Sequence, residues 1–162
     1  MLAGGRSSRF GTDKADAVFA GRTLLDHVRA LAARHADAVV VVGRAGGVPD
    51  LPAPHLGPLG GIAGALAHGD AHGFETVLTF GCDMPQLPSE LIAALLRRAP
   101  SYCTEAPIVG HWPSALAPQL IEHIAASERR SVKGWAQSVG ALPIVSPAPL
   151  ANVNTREDLL AL

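Results

Sequence analysis

The residues best suited to chemistry sit at the start of the chain, in the run Leu2-Ala3-Gly4-Gly5-Arg6-Ser7-Ser8-Arg9-Phe10-Gly11-Thr12-Asp13-Lys14. Glycines at 4, 5 and 11 let the main chain adopt positive φ and come close to a ligand, so that successive N–H groups can converge on phosphate oxygens. Arg6, Arg9 and Lys14 add positive charge, and the run reads as a phosphate grip. It is not the P-loop of NTPases, because Thr12-Asp13 separates Gly11 from the lysine, and the Gly-x-Gly-x-x-Gly dinucleotide pattern is absent as well. A basic surface turn is the alternative, since glycine-rich loops are common.

A second chemical group is Asp83, placed where the apolar run Thr76–Phe80 stops, in Gly81-Cys82-Asp83-Met84-Pro85. A carboxylate there faces the crevice beyond the strand ends, and Mg2+ needs only one or two carboxylates when phosphates and water complete its shell. The alternative is an aspartate that caps the amides of Leu87 and its neighbours. Gly57-Pro58-Leu59-Gly60-Gly61-Ile62-Ala63-Gly64 opens a helix where a nucleobase or ribose could approach bare backbone; tight helix-to-sheet packing explains it equally well. Asp50 follows Pro49 in a long loop and suits a guanine edge or a ribose, or is an exposed turn aspartate.

Other polar groups carry less. His68 and His72 have helical ligand spacing without the His-Glu-x-x-His pattern, and a buried thiol explains Cys82 better than a nucleophile does. Arg129-Arg130, beside Glu128 and Lys133, form a charged helix start or a grip on a second phosphate.

These groups need a scaffold that brings them to one edge. Met1-Leu2-Ala3 reads as the tail of a strand whose beginning lies upstream, since a buried strand usually has about five residues. Val18-Phe19 and the turn at Ala20-Gly21 lead to Thr23, the expected cap of a helix with a stripe at Leu24, Val28 and Leu31. Ala38–Val42 is a continuous apolar run and predicts a central parallel strand covered on both faces. A helix from Pro58, a strand over Thr76–Phe80 and a helix capped by Ser89 follow. The second half predicts a strand near Pro107-Ile108-Val109, helices over Leu116–Ala126 and Ser131–Val139, a strand at Leu142–Val145 and a last helix after Asn154-Thr155. Alternating strands and helices call for a layered α/β domain with a mainly parallel sheet, whose ligands sit at the carboxyl ends of the strands.

With 162 residues the chain is expected to form one domain, spanning residues 1–162. Its 13 Lys+Arg against 14 Asp+Glu leave no broad positive field for nucleic acid, and two cysteines, Cys82 and Cys103, make neither a disulfide framework nor a four-cysteine zinc site. No apolar stretch reaches the roughly 20 residues of a membrane span, so a cytoplasmic protein without membrane contact is expected.

Taken together, the run from Leu2 to Lys14, Gly57-Pro58-Leu59-Gly60-Gly61, Cys82-Asp83-Met84-Pro85 and Asn152-Val153-Asn154-Thr155 resemble, in order and spacing, the molybdenum cofactor guanylyltransferase family. Leu-Ala-Gly-Gly and Gly-Pro-Leu-x-Gly are closer to its guanylyl than to its cytidylyl branch. The resemblance implies a single three-layer, Rossmann-like nucleotidyltransferase domain with a mainly parallel mixed sheet. It implies a Mg2+-dependent enzyme that joins GMP from GTP to molybdopterin and releases pyrophosphate, in transient contact with cofactor-synthesis or insertion proteins. Residue by residue it places Leu2, Ala3, Gly4, Gly5, Asp50 and Gly57 at the nucleotide, and Arg9 and Lys14 at its phosphates. It places Mg2+ on Asp83, and His111, Arg129, Arg130, Asn152 and Asn154 on the acceptor side. Val42-Gly43-Arg44 departs from the family in lacking the asparagine usual after the second strand. Transfer of another nucleotide, a different phosphate acceptor, and a noncatalytic nucleotide-binding module are the competing readings.

Overall fold

The computed structural model describes residues 1–4, 14–126 and 130–160, with the backbone alone for Lys14, Arg156 and Leu160. After a single 3₁₀ turn at Lys14–Asp16, a two-stranded hairpin of β1 (Val18–Phe19) and β2 (Arg22–Thr23) turns through Ala20 and Gly21, both at positive φ. Thr23 then caps α1 (Leu24–Ala32), its hydroxyl accepting from the Asp26 amide at 3.1 Å, and the expected stripe of Leu24, Val28 and Leu31 is buried. The remaining elements are α2 (Pro58–Ala71), β3 (Thr76–Thr79), α3 (Ser89–Leu96), β4 (Ser101–Cys103), β5 (Gly110–Pro113), α4 (Ala117–Ala126), α5 (Val132–Ser138), β6 (Leu142–Ile144) and α6 (Arg156–Leu160).

The sheet is mixed, in the order β3-β5-β4-β6, with β5 antiparallel to both neighbours and β4 parallel to β6. Met1–Ala3 extend it on the far side of β3. The Leu2 amide donates to the Phe80 carbonyl and the Cys82 amide to the Leu2 carbonyl, each at 2.9 Å. On the other flank the Ala3 amide donates to the Val42 carbonyl at 2.8 Å. The first residues are therefore wedged, parallel, between residue 42 and residue 81.

Helices cover both faces. On one, Leu59, Ile62 and Leu66 of α2, Leu120 of α4 and Trp135 of α5 enclose Trp112. The two indoles pack with centroids 4.7 Å apart, and the Trp112 indole N–H donates to the Thr79 hydroxyl at 2.9 Å, so its polar end is satisfied inside the core. On the other face Val28 and Leu31 of α1 meet Phe80 and the α3 residues Leu91, Ile92 and Leu95. These are the three layers the alternation predicts. Among the described residues no helix is long and apolar enough to cross a membrane.

Three local expectations are corrected. The Ala38–Val42 expectation holds only at its end: Val42, fully buried, bridges in parallel to Leu2 on one side and Val48 on the other, whereas Ala38 is exposed and forms no bridge. Pro107–Val109 lies in the turn between β4 and β5, closed by the Cys103 amide donating to the Val109 carbonyl at 2.8 Å. Both flanking strands are too short to show a period of two. Ser89 is the first residue of α3 rather than its cap, and its hydroxyl donates to Glu90.

A cavity of about 170 Å³ lies at the amino ends of the strands, between Val39 and Val40 on one side and Thr76 and Leu78 on the other, with Met1 and His111 in its wall. It is at the opposite end of the sheet from Asp83.

Candidate active site

At the carboxyl edge, the chain leaving β3 pairs once more at Gly81 and then turns through Cys82 and Asp83, with the Met84 amide donating to the Gly81 carbonyl at 3.3 Å. Gly81 pairs with Leu2, and a Cβ at Gly81 would collide with Asp83 Oδ1, so the carboxylate is curled back over the residue that carries the N-terminal segment. Asp83 is partly exposed. Its carbonyl accepts from the Val153 amide at 2.9 Å, which brings Asn152 and Asn154, both exposed, to the same edge. That stretch is fixed in turn by Asp158, whose Oδ2 accepts from the Asn154 and Thr155 amides, each at 2.8 Å, as α6 begins.

Beside this edge is a recess walled by glycine. The Gly43 backbone, at φ +83°, lies so close to Gly4 that a Cβ there would stand 2.8 Å from Gly4 Cα and 3.1 Å from Asp50 Oδ1. A Cβ on Gly61 would be 3.6 Å from the same Asp50 oxygen, and one on Gly4 would be 3.7 Å from Asp50 Oδ2. Leu2, Ala3, Gly4 and Asp50 are thus brought together, and the Leu51 amide donates to the Gly60 carbonyl at 3.0 Å to hold the first turn of α2 against them. Gly57, at φ +74° and exposed, precedes that turn. Bare backbone and one carboxylate at a helix start suit the flat face and polar edge of a nucleoside. A Cβ at Gly64 would strike the Pro49 carbonyl, so the small residues of α2 also let the helix lie against the Asp50 loop.

Gly5, Arg6, Arg9 and Arg129 lie outside the described residues, and of Lys14 the backbone alone is placed. That backbone opens the 3₁₀ turn whose Ala15 is buried against Ala3 and Cys82. Arg130 is exposed between α4 and α5. His111 is not brought to the carboxyl edge. It is 7% exposed in β5, paired with Leu78, with Nδ1 at 3.1 Å from the Leu95 carbonyl, and it faces the amino-end cavity. His68 and His72 stack with ring centroids 4.0 Å apart, and burial, then His72, lowers the His68 pKa. Among the described residues no three metal-ligating side chains cluster.

Two contributors escape a reading by residue type. Gly43 reads as the end of an apolar run, and nothing local reveals that it touches Gly4. Gly81 reads as a turn residue, yet its missing Cβ is what leaves room for the carboxylate of Asp83. The second of these has a usable signal, a glycine two residues before an acidic strand end, where side chains share a face.

Farther along the same edge, Glu105 ties the β4 end to the β6 end. Its Oε2 accepts from the Thr104 hydroxyl at 2.7 Å, the Ser146 amide at 3.2 Å and the Cys103 thiol at 3.3 Å. Those donors, Thr104 foremost, hold its carboxyl down at about 2, while burial pushes the Cys103 thiol up. A carboxyl depressed in the folded state stabilises above its ordinary pKa of 4.5, and the contribution disappears as pH falls through about 2. Wild type and Glu105→Gln should therefore differ in urea midpoint at pH 6 and converge near pH 2; a constant gap across that range would show that the charge is not what binds the two strand ends.

A carboxylate at a strand end, set beside a glycine-walled recess over a mixed sheet with helices on both faces, defines a nucleotide-handling α/β enzyme domain of the nucleotidyltransferase class. Comparison with known proteins agrees. The family model described as MobA-like NTP transferase domain matches residues 1–144, and the chain belongs to that family. A molybdenum cofactor guanylyltransferase of Rhodobacter capsulatus is 34% identical over 173 residues, covering 98% of this chain and 90% of that protein. One of Rhizobium johnstonii is 30% identical over 184 residues, with 99% and 88% covered. Among solved structures, molybdopterin-guanine dinucleotide biosynthesis protein A of Archaeoglobus fulgidus superposes with a TM-score of 0.73 at 19% identity, covering 99% of this chain and 93% of that one. The 2-C-methyl-D-erythritol 4-phosphate cytidylyltransferase of Thermus thermophilus reaches 0.64 at 17% identity, with 91% of each chain covered, which confirms the Rossmann-like fold.

Proposed function

We propose that this enzyme transfers GMP from GTP to molybdopterin in the cytoplasm, with release of pyrophosphate. The observation that carries the reading is that Gly4, Asp50 and Asp83 stand at one sheet edge, held by the pairing of Leu2 with Val42 and Gly81. The names of relatives that cover nearly the whole chain supply the substrates.

In this mechanism a phosphate oxygen of molybdopterin attacks the α-phosphorus of GTP in line, and the bond to the β-phosphate breaks. The attacking phosphate is ionised at neutral pH, so no general base is required. Two anions must meet, and the protein's contribution is alignment and charge neutralisation. The recess of Gly4, Gly43, Gly57 and Gly61 holds the nucleoside, with Asp50 at its polar edge. Arg9, Lys14 and the Gly4-Gly5 backbone oppose charge on the phosphates. Asp83 offers one hard oxygen at the strand end, which fits Mg2+, an ion content with one or two carboxylates beside phosphate and water. When bound, that ion supplies further neutralisation of the triphosphate. Asn152 and Asn154, together with Arg130 and Arg129, take the acceptor side, whereas His111 has no part in it.

Pyrophosphate release with molybdopterin and each of GTP, CTP, ATP and UTP tests the reading. GTP should support turnover at least about tenfold better than the others, a floor set by the net worth of one hydrogen bond to the base. Preference for CTP would move the enzyme to the cytidylyl reaction, and tight GTP binding without pyrophosphate release would make it a nucleotide-binding module.

A further inference from the structure

Arg44 stands directly after Gly43, and its side chain reaches the turn that carries Lys14. Its Nη2 donates to both carboxylate oxygens of Asp16, at 3.0 and 3.1 Å. The Arg44 side chain is 23% exposed, and its backbone follows the recess residue Gly43 into a tight turn in which the Gly47 amide donates to the Arg44 carbonyl at 3.0 Å and the Gly43 amide to the Val48 carbonyl at 2.9 Å. Asp16 closes the 3₁₀ turn Lys14–Asp16, whose middle residue Ala15 is buried against Ala3 and Cys82. One ion pair thus joins the loop at the nucleoside recess to the turn that presents the lysine.

We propose that the Arg44–Asp16 pair is a positioning device that sets the distance between the nucleoside recess and the Lys14 turn, so that a triphosphate reaches its cation while the base is seated. It rests on the nucleotide-binding reading above. An exposed ion pair contributes little to global stability. Its effect here is local: with Ala15 held from below and Asp16 from the side, the backbone of Lys14 has one arrangement, and a small displacement of a phosphate contact is felt strongly in turnover. One guanidinium nitrogen reaches both carboxylate oxygens, and the planar group carries it on a stiffer arm than a lysine ammonium would.

The test compares wild type with Arg44→Gln, Asp16→Asn, Arg44→Lys and the exchanged pair Arg44→Glu/Asp16→Arg. For each, the affinities for GTP and for guanosine are measured by calorimetry, with the melting temperature alongside. Either neutral variant should weaken GTP by about five- to tenfold and leave guanosine binding and the melting temperature unchanged. Arg44→Lys should fall between, and the exchanged pair should recover affinity lost in the single variants. Equal weakening of GTP and guanosine, or no weakening of GTP, overturns the proposal. Wild type is assayed in parallel for pyrophosphate release from GTP and molybdopterin: no release by wild type fails the nucleotidyl-transfer reading itself, whereas an active wild type beside an Arg44→Gln unaffected in GTP affinity removes the positioning device alone.

Discussion

Asp83→Ala lowers pyrophosphate release by about 10²- to 10³-fold, the loss expected when one preorganised electrostatic contact is taken from a phosphoryl-transfer site. The side chain is partly exposed at a strand end, and the backbone hydrogen bond from the Val153 amide to the Asp83 carbonyl does not depend on it. The fold should survive, which a circular dichroism spectrum and an unchanged melting temperature would check. Asp83→Asn keeps the shape and removes the charge, and it should lose nearly as much. If the loss is through the ion, raising Mg2+ should restore part of the rate to Asp83→Asn and none of it should depend on GTP concentration. A folded Asp83→Ala with rates near wild type would strip the residue of its role and leave the edge without a metal ligand.

The second large effect is expected at Gly43. Its φ of +83° is strained for any residue with a Cβ, and an added methyl would stand 2.8 Å from Gly4 Cα and 2.9 Å from Gly4 N, both backbone atoms that cannot rotate away. Gly43→Ala must therefore push apart the two strands that form the recess floor, with a loss of about 2 kcal/mol or more in stability and about tenfold or more in GTP affinity. Gly46→Ala is the control: it has φ +76° with nothing within 4 Å of the new atom, so it carries the backbone strain without the collision. Equal effects of the two variants on GTP binding would mean that the contact between Gly4 and Gly43 does not shape the site.

Much of this site was legible residue by residue. Alternating apolar runs and caps foretold the layered α/β architecture, and the end of an apolar run marked Asp83. Thr23, Pro58 and Ser131 begin their helices as expected because capping and proline at a first turn are local properties of a few residues. His111 and Ala38–Val42 show where local reasoning stops. A motif likeness took the histidine to the acceptor side, but strand register pairs it with Leu78 and turns it into the amino-end cavity. The valine run has the composition of a central strand, yet how much of it pairs depends on residues about forty apart in sequence, and only its end at Val42 bridges, to Leu2 and Val48.

What the amino-acid sequence determined by itself was a set of chemical types in order: a glycine-rich cationic run, a glycine-opened helix and a strand-end carboxylate. Short-range stereochemistry and period suffice for that. Only the tertiary structure decided that Gly43 presses on Gly4, that Asp50 faces both, that Asp83 curls over Gly81 and that Arg44 reaches Asp16. Each of these is a contact between segments whose approach is set by sheet order and by how closely bare backbone can pack, quantities that belong to the folded chain as a whole.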